Sequence, residues 1–85
     1  STFLPEGKSV TIEEAIEIAK INCDFIDFDN DEKQYRAVHD VNATAPDHIY
    51  VIVIQECLDN EYSVCAVRWV DKNTGEIVFP YYLNE

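Results

Sequence analysis

Asp27, Asp29 and Asp31 alternate with Phe28 and Asn30, and alternate carboxylates are how a calcium-binding EF-hand loop begins. Such a loop needs glycine at its sixth position for a sharp turn, and Glu32 stands there. It needs a bidentate glutamate at its twelfth, and Val38 stands there. The run therefore reads as a solvated acidic face or a partner-contacting patch. For zinc the chain offers His39, His48, Cys23, Cys57 and Cys65. No Cys-x-x-Cys pair is present and the two histidines are not at ligand spacing, so no metal site is expected. Ser9 and Ser63 lack a Gly-x-Ser-x-Gly context, and neither Cys57 nor Cys65 has a recognisable histidine partner. Carboxylates are too frequent for any one pair to mark an acid/base device. Phosphate cradles need glycines, and only Gly7 and Gly75 are available. The expectation is a protein that is not an enzyme and carries no cofactor.

Charge is the strongest compositional signal. The 85 residues hold 17 acidic and 6 basic side chains, a formal net charge of -11. Such a field repels nucleic acid and anionic membranes and speeds encounter with basic partners. The same acidity also keeps a small protein soluble. No run approaches the roughly 18 apolar residues that cross a bilayer. The opening Ser1-Thr2-Phe3-Leu4-Pro5-Glu6 has no basic stretch followed by an apolar one. The three cysteines are an odd set without framework spacing and read as buried free thiols, which points to the cytoplasm. Asn42-Ala43-Thr44 matches a glycosylation acceptor, a pattern common by chance.

The elements that must position these residues form a single domain. Residues 1–10 are a lead-in broken by Pro5 and Gly7. Thr11 with Glu14 is a capping box, and Val10 can staple onto Ala15. Ile12, Ala15, Ile16, Ala19 and Cys23 recur at helical spacing, and Ile18, Ile21 and Phe25 widen the stripe. A largely buried helix over about 11–23 follows. Residues 24–47 are an acidic linker with an ambiguous segment, 34–41: Tyr35, Val38 and Val41 fit a short helix capped at Asn30, but the Tyr and Val content leans to a strand that would cover a sheet edge. The β-branched run from Ile49 to Ile54, the turn at Asp59-Asn60 and the turn Lys72-Asn73-Thr74-Gly75 set up an antiparallel meander over 48–83. Pro80 makes the last strand, Glu76 to Leu83, an edge. The fold class is α+β, one N-terminal helix on a three- to four-stranded antiparallel meander.

Registering the first hairpin on a two-residue turn pairs Ile54 with Cys65, Ile52 with Val67 and Tyr50 with Trp69. The other face then pairs Val53 with Ala66, Val51 with Arg68 and Ile49 with Val70. The second hairpin adds Val78 and Tyr82 to the first face, and Ile77, Phe79, Tyr81 and Leu83 to the second. Both faces are apolar, and one helix covers only one of them. Segment 24–45, a second copy or a foreign partner must cover the other. Trp69, Tyr81 and Tyr82 are natural binding residues if it stays open.

The helix Thr11-Ile12-Glu13-Glu14-Ala15-Ile16-Glu17-Ile18-Ala19 and the hairpin Val70-Asp71-Lys72-Asn73-Thr74-Gly75-Glu76-Ile77-Val78 together resemble two groups of small α+β modules. One is the PepSY-type inhibitory domain; the other is the YrhB-type family of bacterial toxin-immunity proteins. The resemblance covers about a quarter of the chain and implies a helix packed on an antiparallel sheet and an inhibitory binding role. PepSY domains are typically extracytoplasmic, whereas no export signal is visible here, and residues 24–47 match neither group.

Charge, size and resemblance lead to one expectation: an acidic inhibitor that occludes a basic protein, such as a nuclease toxin or a nucleic-acid-binding protein. A phage-encoded DNA mimic acting on a host defence protein and a homo-oligomeric regulatory module, including a homodimer, are the alternatives. Asp24, Asp27, Asp29, Asp31 and Glu32 are the first contact candidates. Asp59, Glu61, Asp71 and Glu76 at the hairpin turns are the second.

Overall fold

The computed structural model describes residues 9–78. One helix, α1 (Ile12–Asn22), precedes four strands, β1 (Gln34–His39), β2 (Ile49–Leu58), β3 (Glu61–Asp71) and β4 (Ile77–Val78). The strands form one antiparallel sheet in the order β1-β2-β3-β4. This is the expected helix on a meander, with the ambiguous segment resolved as an edge strand. The expected strand residues Phe79, Pro80, Tyr81, Tyr82 and Leu83 lie outside the described residues, as does the lead-in before Ser9.

The helix begins where its side chains satisfy its orphan donors. Thr11 Oγ1 accepts from the Glu14 amide at 3.1 Å, and Glu14 Oε1 accepts from the Thr11 amide at 2.8 Å. Val10 and Ala15, the expected staple, share one core cluster. Ala15, Ala19 and Cys23 are fully buried along one stripe, and their small size lets the helix approach the sheet closely. Ile16 and Ile18 flank that stripe and pack on the same cluster. The helix is narrower in its burial than the sequence suggested. Ile12, Ile21 and Phe25 are exposed: Ile21 faces away from the stripe, whereas Ile12 in the first turn and Phe25 past the C-cap lie at its two ends.

Beneath the helix lie Ile52, Ile54 and Val70, all fully buried, with Ala37, Tyr50, Ala66 and Ile77 around them. The opposite face gathers Ile49, Val51, Val53 and Trp69, flanked by Val38, Val67, Val78 and the loop residues Ala43 and Ala45. The β1–β2 loop therefore covers the middle of the second face from within the chain. Trp69 is 3% exposed, so with this face covered it is a core residue; the binding role held only for an open face.

The flush hairpin register is corrected by a β-bulge. Asp59 (φ 54) and Asn60 (φ 67) form the two-residue turn, and the positive angles match the primed turn that a twisted hairpin favours. Pairing runs as expected through Gln55↔Val64, then shifts to Ile54↔Ala66, leaving Cys65 unopposed. From there Val53 faces Val67, Ile52 faces Arg68 and Val51 faces Trp69. The extra residue exchanges the faces of β3. Val70 is thereby brought under the helix and Trp69 onto the other side. The physical reason is visible at Arg68, whose Nε donates to Asn22 Oδ1 at 2.5 Å. A flush register would turn that guanidinium to the far face, away from the negative end of the helix dipole. The second hairpin pairs Trp69 with Val78 and Val70 with Ile77, as expected.

Candidate partner-binding surface

The acidic candidates sit on turns whose backbones are held by their own side chains. Asp27 Oδ1 accepts from the Asp29 amide at 3.0 Å. Asn30 Oδ1 accepts from the Glu32 amide at 2.7 Å and the Lys33 amide at 2.9 Å. These short-range turns are what Asp and Asn favour in irregular chain. They leave Asp24, Asp27, Asp29, Asp31 and Glu32 all exposed.

Register decides which candidates come together. Gln34 opposes Cys57, and Lys33 Nζ lies 3.6 Å from Glu56 Oε2. The end of the acidic segment is thus tied to the end of β2 that carries the Asp59-Asn60 turn. Asp29, Asp31 and Glu32 share one end of the sheet with Asp59 and Glu61, which are also exposed. Asp24 stands further back, just past the helix C-cap at Cys23. Asp27 follows it.

Asp71 and Glu76 are elsewhere. They lie at the far end of β3, an 11-residue strand and so roughly 30 Å away. Asp71 Oδ1 accepts from the Asn73 amide at 2.7 Å and the Thr74 amide at 3.2 Å, so its carboxylate shapes its own turn.

Apolar residues that the sequence did not single out border the acidic end. Leu58 is 57% exposed, Tyr62 47% and Val64 59%. Arg36 donates from Nε to Gln55 Oε1 at 2.7 Å and lies 3.6 Å over the Tyr62 ring. Behind them Val38, His39, Asp40, Val41, Asn42, Val53, Gln55 and Val64 line an open groove of about 310 Å³. The flush register already set Tyr62 and Val64 on the face of Val53, since it too pairs Gln55 with Val64 and Cys57 with Tyr62; what it did not show is that they stay exposed there.

The thiols and histidines offer little chemistry. Cys23 is fully buried and Cys57 half-buried, but Cys65 is exposed at the bulge, contrary to the expectation of three buried thiols. Partial desolvation pushes the otherwise exposed Cys65 thiol up, and the Glu56 carboxylate and Cys23 add to that rise. Burial also raises Cys23, against an opposing pull from Arg68. A raised thiol is a weak nucleophile at neutral pH. His39 packs edge-on against Tyr50 at 5.4 Å, and His48 is exposed at the end of the β1–β2 loop. Among the described residues no three His, Cys, Asp or Glu side chains group as a metal site, and no helix is long and apolar enough to cross a membrane.

Comparison with protein-family models, curated proteins and solved structures returns no match.

Proposed function

We propose that this chain is an acidic inhibitory binding protein that occludes a basic macromolecule, a nuclease toxin or another nucleic-acid-binding protein. One observation carries the reading. Asp29, Asp31 and Glu32 share one end of the sheet with Asp59 and Glu61, where Leu58, Tyr62 and Val64 are exposed. Carboxylates on a rigid rim steer a positive surface into place, and apolar and aromatic residues within the rim hold it. A partner that normally grips phosphates presents lysines and arginines for this rim to engage. The net charge of -11 extends the attraction beyond the contact itself. The resemblance to YrhB-type immunity proteins points to the same inhibitory role, and the free cysteines suit a cytoplasmic one.

The test is affinity capture from the source cell with two baits, the wild-type chain and an Asp29→Asn/Asp31→Asn/Glu32→Gln variant. These substitutions spare the turn-forming Asp27 and Asn30 oxygens. The expected result is one basic protein retained by the wild type at low salt and lost with the variant. Equal recovery by both baits, or an acidic prey, would reject the reading.

A further inference from the structure

Among the described residues no strand pairs with the outer edge of β1. The Asp40 amide donates to the Val51 carbonyl at 2.9 Å, and the register continued from His39↔Ile52 sets these residues directly opposite. In an antiparallel ladder, hydrogen-bonded and non-bonded pairs alternate. Val38, Arg36 and Gln34 therefore bond inward to β2, while Tyr35, Ala37 and His39 direct their amides and carbonyls outward. Those outward groups make no backbone hydrogen bond to a described residue. Natural edges are usually blunted by proline, charged side chains or a bulge; Gln34–His39 has no proline and no bulge, and its one charge, Arg36, is drawn inward over the Tyr62 ring.

We propose that β1 is a self-association edge, with two copies of the chain pairing antiparallel through Gln34–His39 about a twofold axis at Ala37. This register uses every outward group: Ala37 opposes Ala37, and Tyr35 opposes His39 of the second copy. It also suits the charge. Lys33 through His39 carries two cations and no carboxylate, in a chain with a net charge of -11. Gln34 then opposes Asp40 of the second copy, which sets that carboxylate diagonal to Arg36 on the same face. Such diagonal pairs lie within reach of long side chains. The result is a continuous eight-stranded sheet whose two acidic ends point away from each other. This pairing is independent of the basic partner and responds oppositely to salt, because screening relieves repulsion between two anionic copies.

Two measurements on the whole chain test it. Sedimentation velocity from about 10 to about 500 µM, at about 0.05 and about 0.5 M salt, should show a dimer that tightens as salt rises. Amide exchange should slow with concentration at Tyr35, Ala37 and His39, while Val38 stays protected throughout. Ala37→Pro removes an outward donor without removing a bond to β2, so it should weaken the dimer at least about tenfold, the loss of roughly one or two hydrogen bonds. If that variant does not fold, the wild-type exchange rates decide. A monomer across the whole range, or a dimer in which those three amides exchange as fast as in the monomer, would overturn the proposal.

Discussion

Gly75 shows how much one residue can fix. Its φ of 79° lies in the left-handed region, and a Cβ there would stand 3.2 Å from Ile18 Cδ1 and 3.4 Å from Val10 Cγ2. Gly75→Ala should destabilise by about 1–2 kcal/mol from backbone strain alone, measured by urea unfolding. Thr11→Ala should cost about 1 kcal/mol by removing half of the capping box. The buried Cys23 thiol gives a pH signature. Its folded pKa is raised above 9.0, the ordinary value, so the folded state holds the proton more tightly than the unfolded chain. The stability this contributes is fully present below the unfolded pKa and is lost as pH rises through the folded one. Unfolding midpoints in alkaline solution should therefore fall less steeply in Cys23→Ala than in the wild type. At this scale the capping box, the turn pair Asp59-Asn60 and Gly75 were legible in sequence, because each acts over three or four residues. The exposure of Leu58, Tyr62 and Val64 was not, since it depends on what fails to pack over them.

Elements carry the part of the fold that local pattern only half reveals. The β-branched run of β2 and the turns on either side of β3 announced a meander, and Gln34–His39 took the edge that the sequence left for it. The bulge at Cys65 was invisible because its cause is remote: Arg68 reaches Asn22, 46 residues back in the chain. That contact locks the end of α1 to the bulged register. Asn22→Ala should cost about 1 kcal/mol, near the typical net value of a hydrogen bond, and Arg68→Ala a similar amount. The double variant should cost less than the sum, because the two side chains serve one contact. Double-mutant urea unfolding measures this. Purely additive losses would mean that the register is held by apolar packing, with Ile52, Ile54 and Val70 sufficient under the helix. Where the sheet is concerned, the second apolar face found its central cover in Ala43 and Ala45, one of the expected sources, and among the described residues Tyr62 and Val64, toward the Asp59-Asn60 turn, stay exposed.

For the whole molecule, charge dominates. Self-repulsion among 17 acidic side chains opposes the compact state and is relieved by salt. The thermal midpoint should rise with added sodium chloride, and the Asp29→Asn/Asp31→Asn/Glu32→Gln variant should start higher and rise less. The sequence announced the charge but not its arrangement. Only the pairing of β1 with β2 showed that Asp29, Asp31 and Glu32 share an end with Asp59 and Glu61 while Asp71 and Glu76 do not. The most direct check on that arrangement is the association rate with the captured basic protein, followed by stopped flow over a series of salt concentrations. The rate should drop steeply as salt rises for the wild type and for Asp71→Asn, and lie lower and flatter for the variant neutralised at 29, 31 and 32. Wild-type and neutralised chains associating at equal rates across the series would contradict the acidic end of the sheet as the binding surface.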